Sequence, residues 1–238
     1  MKRTFVNYAH RGASEYCPEN TLLSFYTGIY MGANGIETDV QLTKDGIAVL
    51  FHDDTLERMM KKEGSVEEYT YEQLRTFPME KCGRTDLIPT LECFLDCFSP
   101  LDITLAIELK GKGTEAQTAA LIAQHNVKEK CVVTSFQFAY LEEIHRIMPD
   151  LHLGYLAPKG GITEELLQNM VQLGFYEICP HAEDVNPDSV ERWHSLGLGV
   201  RAWGVANETL MRQVYDSGAD GMTVNFPDKL TAYIARNL

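Results

Sequence analysis

Short apolar runs alternate along this chain with longer stretches whose apolar positions recur every three or four residues. The runs 5–9, 35–40, 103–109, 131–135, 151–156, 175–179, 199–203 and 221–224 predict strands. The stretches 20–32, 90–98, 114–124, 138–147, 164–173, 187–196, 208–217 and 227–236 predict helices. Strand and helix in regular alternation is the mark of βαβ units on a parallel sheet. The α/β pattern fits a closed (β/α)8 TIM-type barrel. Gly32, Gly174, Gly197 and Gly218 stand where helices need a C-terminal cap.

One further run, 47–51, breaks the alternation. It follows the second strand by too few residues for a parallel crossover. The link Thr43-Lys44-Asp45-Gly46 carries an Asp-Gly turn signal, so the run is expected to return antiparallel as a hairpin. With Lys44 and Asp45 at the turn centre, Thr43 faces Gly46 and Glu37 faces His52, or lies within a residue of it if Gly46 forms a bulge. The stretch 53–89 is too long for a plain connection. It holds a charged run (Lys61-Lys62-Glu63) and a helical piece near 71–77, and reads as a small insertion beside a single barrel domain spanning 1–238.

The length of 238 residues suits one barrel, which typically takes about 250. The formal net charge of −13 argues against a nucleic-acid partner, which wants a basic face. An anionic substrate would therefore need positive charge supplied locally. No apolar run approaches the ~20 residues of a membrane helix, so no stable membrane insertion is expected. The start, Met1-Lys2-Arg3-Thr4, lacks the long apolar stretch of a signal peptide. Cys17, Cys82, Cys93, Cys97, Cys131 and Cys179 form no Cys-x-x-Cys pair. A cytoplasmic protein with reduced thiols is the expectation.

The reactive side chains gather at the C-terminal ends of predicted strands, where barrel active sites form. Glu37 and Asp39 are two apart on one strand and share a face. Glu108 and Lys110 are two apart on another. Isolated, Glu-x-Asp reads as a solvated pair. Inside a barrel, converging carboxylates need a neutralising partner. A hard divalent cation, Ca²⁺ or Mg²⁺, suits all-oxygen ligation by Glu37, Asp39 and Glu108. His10 and His52 each end a strand beside these acids and can exchange protons near neutral pH. Arg11 and Lys110 offer the missing positive charge, with Arg giving two-pronged bonds to phosphate. Trp203 and Phe136 are open between core packing and an apolar wall for an alcohol group. His125, His145, His152, His181 and His194 are read as structural.

The series His10-Arg11-Gly12, Pro18-Glu19-Asn20-Thr21, Ile36-Glu37-Thr38-Asp39-Val40, Thr43-Lys44-Asp45-Gly46 and His52-Asp53 resembles the signature of bacterial glycerophosphodiester phosphodiesterases. Glu108-Leu109-Lys110, Ser135-Phe136 and Trp203 extend the likeness over nearly the whole chain. The resemblance implies a divalent ion on Glu37, Asp39 and Glu108, an acid–base pair in His10 and His52, and phosphate contacts from Arg11 and Lys110. It also implies Trp203 at the glycerol end, a small inserted domain at 53–89 and a small-molecule glycerophosphodiester substrate. Val224-Asn225-Phe226-Pro227, the segment 58–64 and Gly204-Val205-Ala206-Asn207 depart from the family pattern. None falls in the core set, so they bear on alcohol specificity. Two rivals stand beside this reading: a lysophospholipase D-like enzyme acting on a longer lipid, and a non-catalytic ligand-binding barrel. The first wants an apolar rim on the insertion, the second a lost carboxylate or histidine.

Overall fold

The computed structural model describes residues 5–237; Met1–Thr4, the basic start read above, lie outside the described residues. The elements run β1 (Val6–His10), α1 (Leu22–Tyr30), β2 (Gly35–Leu42), β3 (Ala48–Leu50), α2 (Glu57–Met60), α3 (Tyr71–Leu74), β4 (Met79–Lys81), β5 (Arg84–Asp86) and α4 (Leu91–Phe98). They continue as β6 (Thr104–Leu109), α5 (Glu115–Gln124), β7 (Cys131–Ser135), α6 (Phe138–Ile147), β8 (His152–Leu156), α7 (Glu164–Gln172) and β9 (Glu177–Cys179). The last are α8 (Pro187–Ser195), β10 (Gly199–Ala202), α9 (Glu208–Asp216), β11 (Gly221–Val224) and α10 (Pro227–Asn237).

Strands β1, β2 and β6 to β11 pair in parallel, and β1 closes the ring by bonding both β2 and β11. This is the expected eight-stranded barrel. Strand alternation sorts its side chains. In β6, Leu105, Ile107 and Leu109 are buried in the apolar layer beneath the helices, which leaves Ala106 and Glu108 for the barrel side. Fully burying each such aliphatic side chain is worth about 1.5–3 kcal/mol. Edge-on contacts of Phe25 with Phe94 and Phe98 join α1 to α4. Helix starts are fixed by side chains: Thr90 Oγ1 accepts from the Cys93 N–H at 3.0 Å, and Asn186 with Ser189 forms a reciprocal box on α8.

The hairpin exists, with a register one residue from the symmetric pairing. Strand β3 runs antiparallel to β2 and pairs Val40 with Leu50 and Leu42 with Ala48. The turn has three central residues, closed by the Thr43 N–H on the Ile47 carbonyl, with Gly46 at φ 76°. Only glycine takes that backbone freely, so the Asp-Gly step ends in a bulge. Thr38, not Glu37, therefore stands across from His52 in the extended register. The last ladder bond is Phe51 N–H to Asp39 O. Beyond it Gln41 Nε2 donates to the carbonyls of Phe51 and Asp53, at 3.0 and 2.9 Å, and holds the departing chain.

Between β3 and α4 lie two short α-helices, a 3₁₀ turn (Val66–Glu68) and the small hairpin β4–β5, paired at Glu80–Thr85. The hairpin is absent from the pattern reading because its strands are short and polar. Its turn, Cys82-Gly83, has positive φ at both residues. The helical piece expected at 71–77 stops at Leu74. Val49, Phe51, Leu56, Met59, Met60, Val66, Leu74, Met79 and Ile88 pack into a second apolar cluster beside the barrel.

Candidate active site

The C-terminal ends of β1, β2, β6, β7 and β10 open on a cavity of about 240 Å³. His10, Arg11, Glu37, His52, Glu108, Phe136 and Trp203 line it together. Parallel register explains the convergence. His10 is the Cα partner of Glu37, and Asp39 that of Glu108. Three adjacent strands thus deliver their chemistry at one height.

The turn after β1 is built for close approach. Arg11 takes φ 55° and its N–H donates to the Glu37 carbonyl at 2.9 Å. A Cβ on Gly12 would lie 2.4 Å from the carbonyl carbon of Ser24, so only glycine lets helix α1 pack against this turn. The Arg11 guanidinium then reaches Glu19 at 2.9 Å and Asp39 at 3.2 Å. Asn20 Nδ2 donates to Asp39 Oδ2 at 2.8 Å, and its Oδ1 accepts from Thr38.

Glu37, Asp39 and Glu108 are each buried, and their ligand oxygens lie within 4.8 Å of one another. Burial and the neighbouring charges of Asp39 and Glu108 push the Glu37 carboxyl well above its usual range. Burial and Asp39 push Glu108 up to about 8. Burial opposes ionisation of Asp39 too, yet Arg11, His52 and Lys110 hold it below the usual value. Asp39 Oδ1 is buried with no hydrogen-bond partner. Three oxygen donors short of positive charge, one with an orphaned lone pair, fit a hard divalent cation.

The histidines approach from two walls. His10 Nδ1 meets Asn225 Oδ1 at 2.6 Å, and its Nε2 lies 3.9 Å from Glu37. Burial and the adjacent Arg11 charge lower the His10 imidazole to about 4. His52 Nδ1 donates to Asp53 Oδ1 at 2.8 Å, while its Nε2 accepts from Lys110 Nζ at 3.2 Å. Lys110 also stands 3.4 Å from Glu108. Contacts with Asp53 and Lys110, and not strand alternation, aim His52 into the cavity. Phe136 and Trp203 meet edge-on at 4.8 Å and form the apolar side, with Trp203 Nε1 anchored on the Ala157 carbonyl at 3.0 Å.

His181 packs edge-on against Trp203 at 4.9 Å. His125, His152 and His194 sit elsewhere, on Asp96, Tyr176 and Asp220 respectively. Glu19, Asn20, Asp53, Arg58, Arg201 and Asn225 are polar residues at the site to which the sequence pattern assigns no role. Glu19 and Asn20 were present in the Pro18-Glu19-Asn20-Thr21 motif, but their contacts join segments far apart in the chain. Of the departures from the family pattern, one touches the core set directly and one reaches it through Asp53 and Glu19. Asn225 bonds His10, and Arg58 bonds both Asp53 and Glu19.

Residues 10–229 match the glycerophosphoryl diester phosphodiesterase family. A glycerophosphodiester phosphodiesterase of Caldanaerobacter subterraneus subsp. tengcongensis is 31% identical over 93% of this chain and 94% of its own length. One from Bacillus altitudinis is 30% identical over 93% and 95%. An Oleispira antarctica phosphodiesterase, solved in complex with the product sn-glycerol-3-phosphate, superimposes with a TM-score of 0.87. It is 26% identical and covers 97% of this chain and 96% of its own. The chain belongs to the glycerophosphoryl diester phosphodiesterase family, and it is an enzyme of that family.

Proposed function

We propose that this enzyme hydrolyses glycerophosphodiesters to glycerol 3-phosphate and an alcohol at the cavity of His10 and His52. The observation that carries the reading is one cavity holding two histidines on separate walls, a buried carboxylate cluster and an apolar side. The relatives' activity and the glycerol phosphate bound by the Oleispira protein support it.

Glu37, Asp39 and Glu108 are proposed to hold one divalent cation, with Ca²⁺ and Mg²⁺ both suited to the oxygen donors. When bound, that ion supplies positive charge to the phosphoryl oxygens as negative charge builds. Arg11 and Lys110 add charge from the protein and orient the phosphate. The imidazoles of His10 and His52 turn their Nε2 atoms toward the cavity, placed to move protons to and from the attacking and leaving oxygens. Phe136 and Trp203 shield the alcohol side from water. The attacking group is water or the substrate's own 2-hydroxyl. The barrel serves as one domain, with the β3–α4 segment as its insertion. Six free cysteines accord with a cytoplasmic setting. No helix among the described residues is long and apolar enough to cross a membrane.

The lysophospholipase D-like alternative wants an apolar rim on the β3–α4 segment. There Leu56, Met59 and Met60 are buried in the segment's own cluster. A panel of glycerophosphocholine, glycerophosphoethanolamine, glycerophosphoinositol and lysophosphatidylcholine is the test. Glycerol 3-phosphate released from the water-soluble diesters is expected. Turnover confined to the lysolipid contradicts the proposal.

A further inference from the structure

We propose that Arg58 is a positioning residue of the active site, one guanidinium that locks the partner of His52 and the partner of Arg11 into a single rigid frame. The proposal rests on the reading that His52 and Arg11 act on the phosphodiester, and goes beyond it in assigning how they are held.

The geometry starts from two carboxylates that the hydrolysis itself does not use. Asp53 receives His52 Nδ1–H, and Glu19 receives an Arg11 guanidinium N–H. Each therefore stands directly behind a working side chain. Glu19, His52 and Asp53 bring their polar atoms within 4.8 Å of one another, the spacing of a potential metal cluster. The space between the two acids is spanned by Arg58. Its Nε and Nη2 donate to the two Asp53 oxygens at 2.5 and 2.8 Å. Its Nη1 and Nη2 donate to the two Glu19 oxygens at 2.9 and 2.6 Å. One side chain makes a fork on each of two carboxylates.

Only arginine has this shape. Its planar fork matches a carboxylate on two edges at once, whereas a lysine ammonium is a point charge. Burial alone raises the Asp53 carboxyl, but the bonds from Arg58 and His52 outweigh it and hold it at about 2. The Arg58 side chain is 50% exposed while Glu19 is 9% exposed. The guanidinium therefore caps a buried acid from outside. A lone surface ion pair contributes little to stability. Four bonds to two acids, each acid bonded to a working side chain, instead restrict where His52 and Arg11 stand.

The local fold fixes Arg58 in turn. Helix α2 is one turn long, and Leu56, Met59 and Met60 on either side of position 58 are buried in the second apolar cluster. Lys61 ends the helix with φ 55°. Apolar anchors thus hold the turn, and of the two polar side chains between them, Glu57 and Arg58, Arg58 reaches the site. The second cluster acquires a purpose beyond its own packing: it delivers a guanidinium to the catalytic wall.

The test measures kcat and KM of the metal-loaded full chain on glycerophosphocholine for wild type, H52A, R58A, R58M and R58K. Displacement of reacting groups by about 1 Å costs on the order of 10² in rate. Arg58→Met is expected to lower kcat about 10²-fold. Arg58→Lys, which keeps the charge and the fold, is expected to recover only part of that loss. Millimolar methylguanidinium is expected to raise the kcat of R58A severalfold and to leave H52A unchanged. Should R58M fail to fold, R58K and the rescue of R58A decide. Wild-type kcat in R58K overturns the proposal, because charge alone then suffices. H52A with wild-type kcat overturns the catalytic reading instead, so the two failures are told apart.

Discussion

The barrel buries charge in two places, and the two are treated differently. Deeper in the barrel, between floor and mouth, Arg201 Nε meets Glu177 Oε1 at 2.7 Å, and Arg201 lines both the floor cavity and the cavity at the mouth. Its Nη2 reaches Cys179 Sγ at 3.3 Å and its guanidinium lies over the Tyr8 ring at 5.1 Å. Acid and base are matched, and both are buried. At the mouth, Glu37, Asp39 and Glu108 share Arg11 and Lys110, with Arg201 acting on Glu37 from below, and two of the three carboxyls are still driven upward. Yet the floor carries the larger cavity, about 460 Å³ against about 240 Å³. Size does not mark the active site here. Uncompensated charge does, because a fold keeps buried like charges together only where something else neutralises them.

The contrast is sharpest in the histidines. His10→Ala and His52→Ala are each expected to lower kcat by about 10²–10⁴, the usual worth of acid–base catalysis, and to keep the fold. Steady-state kinetics with circular dichroism checks this. Unchanged kcat in either variant removes that residue from the mechanism. The deeper pair should behave in the opposite way. Arg201→Met leaves Glu177 buried and unpaired, which costs about 3–5 kcal/mol of stability. The double change Arg201→Met with Glu177→Leu should recover most of that loss, and kcat measured beside it shows whether Arg201, which also lines the mouth cavity, takes part in the chemistry. Denaturant unfolding beside kinetics is the measurement. A large fall in kcat for the stable double variant makes Arg201 part of the chemistry.

Most of the barrel was legible because its signals are local. Alternating runs give strands, and strand ends give the placement of Glu37, Asp39, Glu108 and His10. The hairpin was legible in kind, since Thr43-Lys44-Asp45-Gly46 permits nothing longer than a turn. Its register was legible to within one residue: Gly46 at φ 76° forms the bulge that was the open alternative and adds a residue to the turn. His52 then owes its direction to Gln41, Asp53 and Lys110, contacts that no periodicity encodes. Arg58 and Asn225 were hidden for the same reason. Each lies far in sequence from part of what it bonds: Asn225 is 215 positions from His10, and Arg58 is 39 from Glu19. The Arg201–Glu177 pair spans two neighbouring strands, and their sequence pattern carries no sign of it.

The most direct test titrates a divalent ion into the chelated protein across a pH series and follows binding, proton release and turnover. Glu108 at about 8 lies above its ordinary 4.5, so the folded, ion-free protein holds a proton the unfolded chain gives up. That protein should lose stability as pH rises from about 4.5 toward 8. An ion binds the carboxylate form, so its affinity should fall by up to about tenfold per pH unit below 8 for each displaced proton. Exhaustive chelation is expected to abolish hydrolysis, and Ca²⁺ or Mg²⁺ to restore it with protons released on binding. Full turnover after chelation, or binding without proton release below pH 8, contradicts it.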